Sequence, residues 1–321
     1  MTHAYAQKFA NTLSSLPNEI ILTSHVNPDG DGLGSMYAMG EALETLGKKV
    51  YYILKEAVQP YYNFLEIHNR LQFNLSGLPK EYAIISFDCG SIDRLSLPKN
   101  IIENAKILMN LDHHLSNNDF GDINIVQVDE VSSTSVVYHC LKAIDIKITP
   151  DMASNLYLGL VFDTGRFSYS PLPQTFSFAA ELLALGADHW TVYSALYRHN
   201  DFNHYKTVAE VTKSMTNMYD GQLVILDVDE SLKDHLILEE VEGLINRMSN
   251  IKELEIVVAF IYESENATKL SFRSRGKFNV CDTASEFGGG GHKCASGATI
   301  HLPYVQARET VLKTLSKFFV S

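Results

Sequence analysis

His25, Asp29 and Asp31 lie in one short stretch, His-Val-Asn-Pro-Asp-Gly-Asp, directly after the apolar run EIILTS (19–24). Asp88 follows YAIISF (82–87), Asp112, His113 and His114 follow ILMNL (107–111), and Asp163 ends the apolar segment that closes on Phe162. Imidazoles and carboxylates are the side chains that hold divalent cations. Several carboxylates brought into one crevice cannot all stay charged and unpaired. A divalent cation, and more readily two, is the cheapest way to hold them.

Each piece has a plainer explanation when taken alone. Asp29 and Asp31 suit an ordinary Pro/Gly turn or helix cap, but His25 four residues earlier adds an imidazole to the same turn. Asp112-His113-His114 could be a solvated loop. Adjacent histidines point in different directions, however, so one can ligate a cation while the other faces substrate. Asp88 and Asp163 matter because both interrupt apolar segments, where a buried charge needs a partner.

The elements that must position these residues are strands alternating with helices. Residues 19–24, 50–54, 82–87, 107–111 and 123–128 read as strands. Pro28, Gly30, Gly32 and Gly34 read as a tight turn, followed by a helix over 33–48. Further helices are expected over 133–144, 151–162, 176–185, 190–197 and 205–218. The pattern predicts an α/β fold with a doubly wound, mainly parallel sheet, whose strand C-terminal ends converge on one crevice. After Gly221 it changes to strands at 222–228, 255–262 and 269–273 around a helix at 239–248, a smaller C-terminal α/β domain. The expected division is a catalytic, metal-binding domain over 1–200, a helical connector over 201–220 and a substrate-binding domain over 221–321, with the active site in the cleft between the domains.

The second domain carries Gly288 to Gly291, then His292 and Lys293, with Arg273, Arg275 and Lys277 upstream. Glycines let backbone N–H groups approach a phosphate, and arginine binds one bidentately. Gly289, Gly290, Gly291, His292, Arg273 and Arg275 are therefore candidates for substrate binding, against the plainer reading of a solvated basic loop. Arg94 and Arg166 are weaker candidates. His68, His139, His189, His199 and His204 lie outside the motifs and read as structural or surface residues.

A net charge of −12 argues against coating long nucleic acid, which needs a basic surface. Cys89, Cys140, Cys281 and Cys294 form no C-x-x-C pair and read as reduced thiols. The longest apolar run, 256–262, is strand length, and the first 19 residues hold no apolar signal segment. A cytoplasmic protein without membrane association is the expectation, and a homodimer is compatible with it.

Together the motifs resemble the DHH phosphoesterase superfamily, the RecJ-like enzymes. HVNPDGDGLGS (25–35), SFDCG (86–90), LDHH (111–114) and FDTGRF (162–167) match its four motifs in order. SFRSRGKFNV (271–280) and GGGGHKCASGA (288–298) resemble its DHHA1 substrate-binding domain. The resemblance implies two Mn²⁺ ions, one held by His25, Asp29 and Asp88 and the other by Asp31, Asp88, His113 and Asp163, with Asp88 bridging. His114 would face the scissile phosphate, and Asp112 would orient its neighbours. Mixed imidazole and carboxylate ligation suits Mn²⁺ better than Mg²⁺, although Mg²⁺ or another divalent ion could serve. Among these enzymes the two-domain type that degrades nano-RNA and 3′-phosphoadenosine-5′-phosphate is the most similar. The implied substrates are short oligonucleotides, linear dinucleotides such as pApA, and phosphorylated nucleotides, not long duplexes. Polyphosphate or pyrophosphate hydrolysis and single-stranded DNA exonuclease activity are the alternatives within the superfamily. A nucleotide sensor without turnover is the alternative outside enzymology, and it would be marked by a lost ligand residue.

Overall fold

The computed structural model describes residues 3–75, 77–167, 172–198, 202–232 and 238–319. The chain divides into two compact units, Met1–His199 and Asn200–Ser321.

In the first unit, α1 (Ala4–Leu13) precedes β1 (Glu19–Ser24), α2 (Gly30–Thr45), β2 (Lys49–Ile53) and the two-residue β3 (Leu71–Gln72). Then come β4 (Ala83–Phe87), α3 (Lys99–Glu103), β5 (Ile107–Asp112), β6 (Ile123–Val126), α4 (Ser133–Ala143), α5 (Pro150–Asp163), α6 (Pro173–Ala184) and α7 (His189–Tyr197). The strands pair in the order β3-β2-β1-β4-β5-β6, all parallel. Every residue of β4, and all of β1 after Glu19, is buried. That is why these segments read as nearly continuous apolar runs rather than alternating ones: both faces of the sheet are covered, one by α1, α2, α4 and α5 and the other by the short α3 with loop residues such as Leu95 and Leu97. The order reverses direction between β1 and β4, so the loops leaving those two strands flank the switch point where such sheets bind ligands.

Gly30, Gly32 and Gly34 do not form the turn expected of them. The reversal is made by residues 25–29, with Asn27 at φ 55, and the glycines lie in the first turns of α2. Their role is close approach. A methyl group at Gly34 would collide with the Asn155 carbonyl of α5, and one at Gly32 with the Ser24 hydroxyl of β1. Gly34→Ala gains about 1 kcal/mol of helix propensity, but backbone cannot give way as a side-chain tip can. Overpacking at the upper end of its usual cost, roughly 3 kcal/mol, should win. The expected outcome is a lower thermal midpoint, and an unchanged melting curve would show that α2 and α5 can separate freely.

The second unit contains α8 (Phe202–Ser214), β7 (Thr216–Met218), β8 (Leu223–Val228), α9 (Leu238–Met248), β9 (Ile256–Ser264) and β10 (Ala267–Ser274). It ends with α10 (Val280–Glu286), β11 (Gly290–His292), β12 (Ala295–Ile300) and α11 (Tyr304–Ser316). The sheet order is β11-β12-β10-β9-β8-β7, antiparallel except for the β8/β9 pair. The helix expected over 205–218 stops at Ser214, and 216–218 instead form the exposed edge strand β7. Val211 of α8 is fully buried among Val224, Leu226 and Val257, so this helix belongs to the core of the second unit.

The glycine run is also not a free loop. Gly290 and Gly291 pair with Gly297 and Ser296 of β12. A Cβ at Gly289 would strike the Gly297 carbonyl, and one at Gly291 would lie 2.6 Å from the Ala295 oxygen. The glycines thus have a packing role of their own. All four cysteines are free, Cys89 and Cys140 buried and Cys294 exposed. No described helix is long and apolar enough to cross a membrane.

Candidate metal centre

The turn after β1 carries His25 and Asp29. His25 Nδ1 lies 2.8 Å from the Val26 carbonyl, which fixes a proton there and leaves Nε2 as the free lone pair. That Nε2 sits 3.5 Å from Asp88 Oδ2 and 3.8 Å from Asp29 Oδ2. Asp29 caps α2, its Oδ1 accepting from the N–H groups of Asp31 and Gly32, so only its Oδ2 is offered inward.

Asp31, in the first turn of α2, is fully buried. Its Oδ2 accepts from Ser133 N (2.6 Å) and its Oδ1 from Thr134 N (2.9 Å). The N-terminus of α4 therefore grips the carboxylate with two backbone donors and the positive end of its dipole. Asp88 follows β4 with φ 54, a left-handed conformation that aspartate tolerates better than most residues. Its N–H donates to the Leu111 carbonyl, and its Oδ1 accepts from the Ser133 hydroxyl at 3.1 Å.

Asp112 ends β5, buried, and acts as an organiser. Its Oδ1 accepts from His113 N (2.8 Å) and His114 Nδ1 (2.7 Å), and its Oδ2 from Asn117 Nδ2 (2.6 Å). The two imidazoles diverge, as adjacent residues must. His113 Nε2 meets Asp163 Oδ2 at 2.8 Å and lies 3.9 Å from both Asp31 and Asp88. His114 is half exposed. Asp163 is the last residue of α5, at the negative end of the helix dipole, where a carboxylate is unfavourable without a cation.

Three overlapping donor groups result. His25, Asp29 and Asp88 bring one ligand atom each within 4.8 Å of one another, as do Asp31, His113 and Asp163, and also Asp88, His113 and His114. Burial, then the Asp88 carboxylate, pushes the Asp29 carboxyl up to about 7. Burial, then Asp163 and Asp88, holds Asp31 well above the ordinary carboxylate range, despite its two backbone donors. Asp163 is raised, chiefly by burial. Burial alone would lower His113, but the hydrogen bond to Asp163 and the charge of Asp31 outweigh it and lift the imidazole to about 10. Without a cation, protons must supply the positive charge. This donor set fits divalent ions, which neutralise the carboxylates without protonating them.

A cavity of about 190 Å³ opens on the cluster and is lined by His25, Asp29, Asp88, His114 and Asp163 together with Gly90, Ser91, Arg94 and Ser116. Arg94, rated weakly from sequence, thus puts a guanidinium-bearing side chain at the centre, its backbone tied to the turn through Val26 N. Arg166, at φ 59, stacks its guanidinium 4.6 Å from the Tyr197 ring centroid instead. In the second unit, Arg273 Nη1 donates to the Phe272 carbonyl (3.0 Å) and Arg275 Nη1 to the Lys252 carbonyl (3.0 Å). Gly290, Gly291 and the backbone of His292 form edge strand β11, and Gly289 immediately precedes it. His199 lies outside the described residues.

The chain matches the model of the DHH family, N-terminal domain, over residues 19–160 and that of the DHHA1 domain over 201–321. It belongs to the DHH/DHHA1 phosphoesterases and is a hydrolase acting on phosphate esters. It is 27% identical over 310 residues to the bifunctional oligoribonuclease and PAP phosphatase NrnA of Thermus thermophilus, covering 95% of this chain and 92% of that protein. The protein of the same name from Bacillus subtilis is 26% identical over 296 residues, covering 89% and 91%. An exopolyphosphatase-related protein from Bacteroides fragilis superimposes with a TM-score of 0.84 at 23% identity, over 98% of this chain and 97% of that one. Exonuclease RecJ bound to manganese does so with 0.59 at 13% identity, over 100% and 96%. Both likenesses are of fold.

Proposed function

We propose that this chain is a Mn²⁺-dependent phosphoesterase with two bound ions that hydrolyses short oligonucleotides, linear dinucleotides such as pApA, and 3′-phosphoadenosine-5′-phosphate. The observation that carries this reading is the pairing of two ligand triads across the β1/β4 switch point, in a chain similar along nine-tenths of its length to proteins named for those activities. His25, Asp29 and Asp88 hold one ion, and Asp31, His113 and Asp163 the other. Asp88 is shared, since His113 approaches its Oδ1 and His25 its Oδ2. Held by these residues, divalent cations would supply an acidified water and positive charge to offset that building on the phosphoryl oxygens.

The remaining work falls to the chain itself. Asp112 fixes the proton of His114 on Nδ1 and raises its pKa. His114 then offers Nε2 to a phosphoryl oxygen or the leaving oxygen. Arg94 supplies positive charge beside the same cavity. Arg273 and Arg275 each carry a guanidinium, whose planar fork of N–H donors matches a phosphate. With Gly289, Gly290, Gly291 and His292 they hold a remote substrate phosphate.

A panel of RNA and DNA dinucleotides and longer oligomers, pApA, 3′-phosphoadenosine-5′-phosphate and pyrophosphate, at equal enzyme with Mn²⁺, tests the substrate class. Fastest turnover of pyrophosphate, or of long DNA, would overturn it. The division of labour is tested by Arg275→Ala. Losing one charge-assisted contact costs roughly 1.5–3 kcal/mol, or about 10- to 150-fold in kcat/KM. The loss should appear mainly in KM for dinucleotides and hardly at all for a small generic phosphodiester. Equal damage to both substrates would remove Arg275 from the phosphate grip.

A further inference from the structure

The first unit holds a second cluster of metal-competent side chains. His3, Glu130 and His139 bring one ligand atom each within 4.8 Å of one another. His139 Nε2 is 3.7 Å from Glu130 Oε1, and the His3 and His139 ring centroids are 4.1 Å apart. Two donors on a tetrahedral ion with bonds of about 2.1 Å stand roughly 3.4 Å apart. The Glu130/His139 pair is therefore within a few tenths of an ångström of chelating distance.

The surroundings aim these groups rather than consume them. Tyr5 Oη donates to Glu130 Oε1 (2.6 Å) and Ser135 Oγ to Oε2 (2.8 Å), fixing the carboxylate while leaving it lone pairs. His139 stands one helical turn beyond Ser135 on α4, and its burial lowers its pKa, which favours the neutral, ligating imidazole. His3 occupies the N-cap position of α1, yet its side chain makes no capping hydrogen bond. All three residues line one cavity of about 850 Å³, together with Tyr5, Asp129 and Glu181. An ordinary surface ion pair needs one imidazole, and here a second lies beside it, tilted by 43°.

We propose that His3, Glu130 and His139 form a separate binding site for a borderline divalent cation, Zn²⁺ being the best match to two imidazoles and one carboxylate. The fourth tetrahedral position is left to water or a small anion within the cavity. An ion there ties the start of α1 to α4. It also stiffens the backbone behind the main centre, because the Glu130 carbonyl faces His113 Nδ1 at 3.4 Å. The inference does not depend on the two-ion reading of that centre, since it shares no side chain with it.

The full chain, loaded with Zn²⁺ and freed of excess by gel filtration, should hold one ion more than either His3→Ala or His139→Gln, by elemental analysis. Co²⁺ in its place should give a visible tetrahedral absorption band component that His3→Ala removes and Asp31→Ala leaves. His3 is exposed, so its removal leaves the fold intact, which continued Mn²⁺-dependent hydrolysis will verify. Equal Zn²⁺ content in wild type, His3→Ala and His139→Gln overturns the site. So does a Zn²⁺ content that responds only to Asp31→Ala, which would place all bound ion in the main centre.

Discussion

Asp88→Asn is expected to abolish turnover while leaving a folded protein. Asparagine keeps the shape of the side chain and tolerates the left-handed backbone at φ 54, so backbone strain cannot explain the loss. What disappears is one negative charge from the residue that both donor triads face. Removing an outer partner of a metal ligand usually costs about 10–100-fold, and removing a shared ligand should cost more. The apo protein should not suffer, because the Asp88 charge is one cause of the raised pKa values of Asp29 and Asp31. A thermal midpoint near wild type without metal, together with a Mn²⁺-induced rise much smaller than wild type, is the expected pair of results. Activity within tenfold of wild type in Mn²⁺ would remove Asp88 from the centre.

Chelation should have an equally large effect. Stripped protein should be inactive and should melt lower than protein with saturating Mn²⁺. Binding at 100 times Kd stabilises by about 2.7 kcal/mol per site, and two sites filling together should make the shift easy to see. Mn²⁺ should restore activity better than Mg²⁺, because each triad contains an imidazole, His25 in one and His113 in the other, and Mg²⁺ prefers oxygen and water. Full restoration by Mg²⁺ with none by Mn²⁺ would count against these ligands.

The parallel sheet was legible because its central strands are mostly apolar and each hands a polar residue to the same edge. Asp88 and Asp112 stand out for that reason, and the resemblance of their motifs supplied an expected role for each. The groups that hold the ligands in place were not legible. Asp31 is gripped by the backbone of Ser133 and Thr134, a contact between distant segments that no spacing announces, and Asp112 by Asn117 in the loop that follows it, which no motif marked. Ser133 could have drawn notice only as the start of the predicted helix over 133–144. In the second unit, Gly290 and Gly291 have no strand propensity, and β12 alone draws them into the sheet. The exposed residues of β7 lack alternation and were absorbed into the preceding helix.

The outer strands of both sheets are short: two residues in β3, four in β6, three in β7 and three in β11. A short border offers few unpaired amides and carbonyls to a strand from another molecule, which is how many proteins avoid open-ended stacking. Among the described residues, then, neither sheet invites continuation across a molecular boundary. Self-association through the described residues is expected to use helices or loops, with an interface built from side chains rather than from backbone ladders.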